Sequence, residues 1–294
     1  MSFETLLATS QRLNASIEAL AALGAELRIR REKLSVDPKV RQLLQEVVGG
    51  IDANLLEGVS PEQEVSVLGF IRAFFRQAVD LLEDPARAPG WVYEDPVVLQ
   101  VLGQASRLVV RAIEALAAKR PVLKETLEQP GLFLDIGSGV GWLAIEAARS
   151  WPSLRVVGID PWEPALSLAR QNLAGSGVAD RVTFRAEGLE SLKESEKYSL
   201  VWLASPFIPK TAVEDALPQI QRSLKPGGWF VFGLFNGPPT PLAEALTKLR
   251  IVRNGGYPWT VEEATARLRT LGYESIEEFS PGAPILMVVG RKPG

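Results

Sequence analysis

The residues best suited to chemistry in this sequence are two aspartates, each at the end of a short apolar run. Asp135 precedes the alternating glycines Gly137, Gly139 and Gly141, and Asp160 ends the next apolar run. A glycine-rich turn between a strand and a helix lets the backbone approach a ligand closely and points helix N–H groups at it. In doubly wound folds, ligands bind at the carboxyl edge of the sheet. The pattern therefore predicts a cofactor site at this turn.

The glycine spacing and the acid before it narrow the class of ligand. The dinucleotide pattern G-x-G-x-x-G requires its third glycine at the position where this chain has Trp142. The Gly-Lys-Ser/Thr sequence of a phosphate loop is also absent from this turn. Asp135 would repel a pyrophosphate, but it suits a ligand with a positive amino group. These features favour a cationic cofactor over a phosphate-rich one.

The composition excludes several kinds of chemistry. The 294 residues contain no Cys and no His, so thiolate nucleophiles, Cys-based metal sites and histidine general bases are ruled out. With 32 Lys and Arg against 35 Asp and Glu, the net charge is -3, which argues against a nucleic-acid partner. Catalysis must therefore use carboxylates, hydroxyls, Lys, Arg, backbone groups or a bound cofactor.

Two regions with different patterns must position these residues. Residues 1–125 carry apolar side chains at three- and four-residue steps, which predicts an all-helical N-terminal domain that serves as a lid, a dimerisation surface or a substrate-binding part. Residues 126–294 alternate short apolar runs with helical stretches, which predicts βαβ units and an α/β doubly wound sheet. The seven predicted strands cover residues 132–135, 155–160, 181–186, 198–204, 229–235, 273–279 and 285–289.

Three helices are expected in the first region. The first follows the stripe from Leu6 to Leu27, and the second ends before Asp84-Pro85, because the residue before a proline avoids helical angles. The third opens at Asp95-Pro96, where Asp is a good N-cap and Pro suits the first turn. We expect Thr260 to start a helix that runs to Leu271.

Four segments together resemble the class I S-adenosylmethionine-dependent methyltransferases, in particular small-molecule members with a helical N-terminal segment. Leu134–Gly141 is similar to their first motif, and Val157–Asp160 to the strand that ends in the acid binding the ribose. Val182–Gly188 resembles their third strand and turn, and Leu224–Gly228 the turn before the fifth strand. The resemblance implies a seven-stranded Rossmann-like sheet that binds S-adenosylmethionine.

The resemblance also implies roles for single residues. Asp135, Gly137, Ser138 and Gly139 are expected to bind the amino-acid end of the cofactor, and Asp160 is expected to bind the ribose. Glu187, which is one methylene longer than the usual Asp, is expected to bind the adenine amine. The remaining predicted cofactor contacts are Pro161, Trp162, Gly188 and Ala204.

Methyl transfer from a sulfonium needs alignment and exclusion of water more than it needs a protein nucleophile. Relatives that use a metal place carboxylates after the fourth strand, where this chain reads Leu203–Pro206, so no metal is expected. Three alternatives stay open for the proton of the acceptor: a carboxylate base, a tyrosine base, or an acceptor that needs no base. No single catalytic residue is predicted. The acceptor is expected to be a small organic molecule methylated at O or N. Its predicted contacts are Tyr93, Phe207, Tyr257 and Trp259.

One alternative function stays open: a methyltransferase-like fold that binds the cofactor without methylating, as a rearrangement catalyst or as a binding or regulatory protein. Ser205-Pro206-Phe207 faintly resembles a motif of nucleic-acid amino-methyltransferases, but it lacks the second proline and no nucleic-acid substrate is expected. The resemblance implies a possible homodimer. With no signal peptide and no membrane span expected, a cytoplasmic location is predicted.

Overall fold

The computed structural model describes residues 2–235, 237, 240–282 and 285–294. The chain divides into two compact units, Met1–Pro85 and Ala86–Gly294. The unit that holds the sheet therefore begins at Ala86 rather than at the predicted residue 126. The physical reason is that the third predicted helical stretch packs on the sheet and contributes to its core.

The first unit contains three helices: α1 (Phe3–Glu32), α2 (Pro38–Ile51) and α3 (Pro61–Glu83). Their N-termini are capped by the side chains of Ser2, Asp37 and Ser60, and α3 ends before Asp84-Pro85 as predicted. The sequence interpretation missed α2, although Asp37-Pro38 gives the same start signal as Asp95-Pro96. The small core of this unit consists of Leu27, Leu68 and Ile71, with Leu23, Leu56 and Phe75 packed against it.

Most of the predicted apolar stripe of α1 is not buried. Leu6, Leu13 and Ile17 are 58%, 52% and 52% exposed, whereas Leu27 is 1% exposed. The helix prediction was right, but only the C-terminal part of α1 contributes to the core of the first unit.

The second unit opens with three helices, α4 (Pro96–Ala105), α5 (Arg107–Ala117) and α6 (Pro121–Glu128). The predicted third helix is interrupted at Ser106, whose hydroxyl donates to the carbonyl of Gly103 at 2.6 Å. In α5, Val110 and Ile113 are fully buried in the core of this unit.

By length and composition alone, one stretch of the described residues, Pro96–Ala117, is apolar enough to cross a membrane. This is weak grounds for a membrane span, because the core helix of a globular domain meets the same test and α5 is such a helix. The predicted cytoplasmic location stays a prediction.

The sheet has seven strands in the order β3-β2-β1-β4-β5-β7-β6, and all neighbours are parallel except β7, which runs antiparallel to β5 and β6. The predicted doubly wound seven-stranded fold is therefore confirmed. The strands are β1 (Gly131–Ile136), β2 (Leu154–Ile159), β3 (Val182–Arg185), β4 (Tyr198–Leu203), β5 (Leu224–Phe235), β6 (Glu274–Gly282) and β7 (Ile285–Arg291). The helices that follow α6 are α7 (Trp142–Ser150), α8 (Glu163–Ala174), α9 (Lys210–Ser223), α10 (Pro241–Arg253) and α11 (Val261–Thr270).

Both faces of the sheet are covered. Successive residues of β1 belong to different cores: Phe133 packs with α5 and α7, and Leu134 packs with α9 and α11. Side chains alternate between the faces of a strand, so a central parallel strand with two covered faces reads as a continuous apolar run. This explains why the apolar runs located the strands so well.

Candidate active site

The predicted cofactor turn lies where the strand order reverses, between β1 and β4. Asp135 on β1 is in register with Gly158 of β2 and Trp202 of β4. The glycine turn then leads into α7, whose N-cap is Gly141. A crevice at the carboxyl ends of the strands is expected at such a switch point, so the topology brings the residues of the first two motifs to one place.

Two of the glycines are required by geometry. Gly137 has a φ of +77°, and a Cβ there would lie 3.2 Å from the Cβ of Ala204 at the end of β4. Gly141 has a φ of +80°, and its Cβ would lie 2.4 Å from the ring of Phe184. Side chains other than hydrogen rarely tolerate a positive φ. The turn can therefore approach the end of β4 and the Phe184 ring of β3 only with glycine at these positions.

Asp160 follows β2 and fixes the glycine turn. Its Oδ2 accepts a hydrogen bond from the N–H of Gly139 at 2.8 Å, and its Oδ1 accepts one from the N–H of Trp162 at 2.8 Å. Each oxygen keeps a second lone pair for a ligand hydroxyl. The sequence predicted only a ligand role for Asp160, and it gave no signal for the contact with Gly139.

Asp135 is 1% exposed, and neither carboxylate oxygen has a hydrogen-bond partner of acceptable geometry. Burial and the nearby charge of Asp160 raise the pKa of Asp135 to about 8, while the N–H of Ala144 in the first turn of α7 acts in the opposite direction. Burial also raises the pKa of Asp160, although the N–H groups of Trp162 and Gly139 oppose this shift. Two acids whose ionised forms are destabilised by burial thus lie at the ends of adjacent strands.

Ser138 lies between these two acids in the chain, and its hydroxyl is buried without a partner. By contrast, the N–H groups of Gly137 and Ser138 both donate to the carbonyl of Ile159, at 2.9 and 3.1 Å. The backbone donors at the start of the turn are therefore used within the protein. What the turn offers a ligand is the Ser138 hydroxyl and the oxygens of the two acids.

The predicted adenine side is formed by residues after β2 and β3. Trp162 is half-buried and Pro161 is exposed, next to Asp160. Glu187 is 36% exposed and forms an ion pair with Arg185 at 3.2 Å. Gly188 is buried, and a Cβ there would collide with the carboxylate of Glu190. The carboxylate of Glu187 is thus already engaged, and its contact with an adenine amine stays a prediction.

A segment before α4, residues 89–94, joins both ends of this site, and we call it the strap. The indole N–H of Trp162 donates to the carbonyl of Tyr93 at 2.9 Å. The ring of Trp91 packs edge-on against Tyr93 and against Phe207, with centroid distances of 5.5 and 5.8 Å. The strap therefore reaches from the end of β2 to the end of β4.

A polar network behind the glycine turn was not predicted. The indole N–H of Trp142 donates to Gln100 at 2.7 Å, and Asn172 donates to the carbonyl of Val140 at 2.9 Å and exchanges hydrogen bonds with Gln100. Arg107 lies over the Trp142 ring at 3.9 Å. Trp142 thus anchors α7 to α4 and α5, which gives a structural reason for the residue that interrupts the dinucleotide pattern.

At the ends of β4 and β5, on what we call the acceptor side, hydroxyl and charged groups are already paired. Ser205 is fully buried and donates to the carbonyl of Gly233 at 2.6 Å. Tyr257 donates to Glu263 at 2.9 Å, and Lys210 lies 3.4 Å from the same oxygen and 4.0 Å from the Tyr257 ring. Burial acts to raise the pKa of the Glu263 carboxyl, but three hydrogen bonds outweigh it and lower the pKa. The donors are the backbone N–H of Thr260, the hydroxyl of Tyr257 and the ammonium group of Lys210.

A cavity of about 290 Å³ opens on the acceptor side. It borders Pro206 at the end of β4, and its walls include Phe235, Tyr257 and Trp259. Trp259 is 7% exposed and packs edge-on against Phe232, so most of its ring belongs to the core, and its indole N–H has no partner. The structure therefore places Tyr257 and Trp259 on one wall, while Phe207 and Tyr93 lie with the strap.

Within the described part of the chain, no three Asp, Glu, His or Cys side chains are grouped so that they could hold a metal ion. At the end of β4, the residues Ala204, Ser205 and Pro206 bring no carboxylate.

The chain is similar in sequence to known methyltransferases. Residues 133–228 match the protein family described as methyltransferase domain. The ubiquinone/menaquinone biosynthesis C-methyltransferase of Geobacter sulfurreducens is 30% identical over 125 residues, which are 42% of this chain and 49% of that protein. A release factor glutamine methyltransferase of Rhodopirellula baltica is 28% identical over 141 residues, which are 47% and 45% of the two chains. The chain thus spans about half the length of the curated relatives it matches.

Solved structures resemble the whole chain in fold. An O-methyltransferase family protein from Burkholderia thailandensis has a TM-score of 0.71 at 14% identity, covering 100% of this chain and 99% of that one. Human N-acetylserotonin methyltransferase, solved in complex with S-adenosylmethionine, has a TM-score of 0.69 at 16% identity with the same coverage. At such identities the likeness shows the fold alone.

The family match, the strand order and the glycine turn agree on a methyltransferase domain built around residues 133–228. The predicted Rossmann-like fold is therefore confirmed, and the family match supports the predicted methyltransferase class.

Proposed function

We propose that this chain transfers a methyl group from S-adenosylmethionine to a small organic acceptor without a metal ion. One observation carries the proposal: the buried, unpartnered carboxyl of Asp135 lies beside Asp160 at the switch point of the sheet. Buried polar groups in proteins are nearly always hydrogen-bonded, so an orphaned acid in a crevice indicates a missing ligand. A cation with several hydroxyl groups would satisfy both acids.

The residues present fit that cofactor. Asp135 and the Ser138 hydroxyl would hold the amino-acid end, and the remaining lone pairs of Asp160 would accept from the two ribose hydroxyls. Trp162 would lie against the adenine, with Pro161, Glu187 and Gly188 around it. When bound, the cofactor supplies an electrophilic methyl group.

The acceptor side offers shape more than acid–base chemistry. The 290 Å³ cavity is at the small end of the usual range for ligand pockets, which suits an acceptor of one or two rings. Tyr257 and Trp259 would form one wall, and Phe207 with Tyr93 the side nearest the strap. These aromatic contacts are our proposal for the substrate site.

The chemistry that we propose is alignment. Holding two reactants in the productive geometry contributes roughly 7–11 kcal/mol of the barrier in favourable cases. Ser205, Tyr257 and Glu263 are already paired, and the lowered pKa of Glu263 makes it a weak base. The acceptor would therefore be an amine or an acidic hydroxyl, which needs little help from a base.

We also propose that the chain forms a homodimer through its first unit. Apolar side chains remain exposed along α1 and α2: Phe3, Leu6, Leu13, Ile17 and Leu20, and Val40, Leu43, Val47 and Ile51. Exposed apolar side chains in such number on two helices commonly mark an interface. Light scattering should give twice the chain mass, and Leu13→Glu should shift the protein toward monomer.

A second candidate function follows from the same paired groups. Because Ser205, Tyr257 and Glu263 offer no unengaged base, a domain that binds the cofactor and does not methylate is also compatible with the site. Such a protein would act as a rearrangement catalyst or as a binding or regulatory protein.

Radiolabelled S-adenosylmethionine, offered with a panel of phenols, amines and carboxylic acids, separates the two candidates. Transfer of label to a small molecule supports the methyltransferase. Tight cofactor binding without transfer to any member of the panel favours the second candidate. Absence of cofactor binding contradicts both.

A further inference from the structure

The cofactor site contains a cluster of buried groups that the protein leaves unsatisfied. Asp135 is 1% exposed and Ser138 is 7% exposed, and the side-chain oxygens of both lack partners. Asp160 stands at the end of the adjacent strand, and its two oxygens are each anchored by a backbone N–H. Burial and mutual repulsion both destabilise the state in which the two carboxyl groups are ionised together.

We propose that Asp135 carries a proton in the cofactor-free protein, and that the ammonium group of the cofactor displaces this proton on binding. This inference rests on the proposed function. In the exchange, the O–H bond of the Asp135 carboxyl breaks, the electron pair stays on the carboxylate, and the proton passes to solvent. The carboxylate then pairs with the ammonium group, which keeps its own protons. One proton is thus released for each cofactor molecule bound.

The electrostatic surroundings of Asp135 support this exchange. Its pKa is raised to about 8 by burial and by Asp160, so the acid is mostly protonated at neutral pH. An ammonium group beside Asp135 has the opposite effect to Asp160, because an opposite charge at short distance favours the ionised acid.

The groups that face Asp135 explain why a proton is needed. From β2 the facing charge is Asp160, and from α7 the N–H of Ala144 acts on the carboxyl. Its register neighbours are Gly158 on β2 and Trp202 on β4, which carry no charge.

Arg107 of α5 is not among the charges that act on the Asp135 carboxyl. It lies over the Trp142 ring, and the charges that act on it are those of Glu146, Arg149 and Arg111. No cation among the described residues is therefore identified as a partner for the Asp135 carboxylate, and the ligand must supply one.

Isothermal titration calorimetry with S-adenosylhomocysteine measures the exchange directly. Titrations at about pH 6.5 in buffers of different ionisation enthalpy should show release of close to one proton per ligand bound, and the association constant should rise about tenfold per pH unit below the pKa of Asp135. A matched ligand is 5′-methylthioadenosine, which has the nucleoside and the sulfur but no amino-acid end. Its binding should release no proton.

Two variants complete the test. Asp135→Asn replaces the protonated acid by a neutral group of the same shape, so binding should become proton-neutral and independent of pH. Asp180→Asn makes the same chemical change at an exposed position outside the site, and it should leave proton release unchanged. Binding of the wild type without proton release would overturn the inference and leave the proposed function intact. No binding of S-adenosylhomocysteine by the wild type would overturn the proposed function as well.

Discussion

At the ends of β1 and β2 the buried acid and hydroxyl of the cofactor site lack partners, whereas at the ends of β4 and β5 the comparable groups are paired within the protein. Asp135 and Ser138 have no hydrogen bonds through their side chains. Ser205 and Tyr257 both have one, and the exception on the acceptor side is the indole N–H of Trp259.

This difference separates binding from reactivity. A site that leaves a buried acid and a buried hydroxyl unpartnered is built for a ligand that brings a counter-charge and polar groups. A site whose hydroxyl and carboxylate groups are already engaged provides walls and excludes water, but it offers little acid–base assistance. We therefore expect substitutions on the cofactor side to have large effects on binding, and those on the acceptor side to affect chemistry only modestly.

The largest effect is expected for Asp160→Ala. The substitution removes the acceptor of two backbone hydrogen bonds, to Gly139 and Trp162, together with the proposed ribose contact. Hydrogen bonds to charged groups are worth roughly 1.5–3 kcal/mol each, so the affinity for S-adenosylhomocysteine should fall at least about 100-fold. Calorimetry measures the change, with Asp180→Ala as the control. An unchanged affinity would remove Asp160 from the site.

Gly141→Ala should destabilise the fold of the turn. The new Cβ would meet the Phe184 ring at 2.4 Å, and φ is +80°. The positive φ costs about 1 kcal/mol and overpacking typically costs about 1–3 kcal/mol more. Gly177→Ala is a matched control, because φ is +77° and nothing lies within 4 Å of its Cβ. Urea unfolding should show the larger loss for Gly141→Ala, and equal losses would mean that the close approach to Phe184 is unimportant.

The stability of the cofactor-free protein should depend on pH through Asp135. Its pKa is about 8 in the folded protein, against an ordinary value of 3.8, so the unfolded chain loses this proton first as pH rises. The contribution of this group to the free energy of unfolding is therefore largest below about pH 4. It decreases by up to about 1.4 kcal/mol per pH unit as the pH rises to about 8, and it is constant above that value.

Denaturant unfolding of wild type and Asp135→Asn across this range isolates the contribution. The difference in unfolding free energy between the two proteins should change in favour of the variant as pH rises. A difference that does not vary with pH would show that Asp135 is ionised in the folded protein.

Trp91→Ala should loosen the strap. The ring joins Tyr93 and Phe207 by two edge-on contacts, and such aromatic pairs are worth roughly 0.5–1.5 kcal/mol each. S-adenosylhomocysteine should dissociate about tenfold faster in a stopped-flow displacement experiment, if the strap covers the bound nucleoside. Trp91→Phe keeps an aromatic ring and should restore most of the slow dissociation. Equal rates for all three proteins would place the strap outside the binding step.

The smallest effect is expected on the acceptor side. Glu263→Gln keeps a group that can accept from Tyr257, while removing a carboxylate whose pKa is lowered. The turnover number should change by less than about tenfold, whereas loss of a true general base typically costs about 10²–10⁴. A loss of that size, together with disappearance of the acidic limb from the pH–rate profile, would identify Glu263 as the base and contradict the comparison.

The sequence was informative wherever a pattern is local. The apolar runs predicted all seven strands, because most strands of this sheet are covered on both faces. The two helix signals at Asp84-Pro85 and Thr260 were right for the same reason, since caps depend on neighbouring residues. The break at Ser106 was not predictable, because the stripes of α4 and α5 continue smoothly in sequence and only packing separates the helices.

The site was predictable in its motifs and not in its contacts. The positions of Asp135 and Asp160 at adjacent strand ends follow from topology. The bond from Gly139 to Asp160 depends on the path of the turn, and the contact of Trp162 with Tyr93 joins segments that are far apart in sequence. Such pairings are decided by tertiary structure, which no single-sequence pattern encodes.

The most direct test of the central claim is a crystal structure of the chain grown with S-adenosylhomocysteine. We predict one ligand per chain at the switch point, with both ribose hydroxyls within about 3 Å of the Asp160 carboxylate and the ammonium group at hydrogen-bonding distance from Asp135. A ligand bound elsewhere, or a site in which Asp135 remains unpartnered beside the bound nucleoside, would contradict the account.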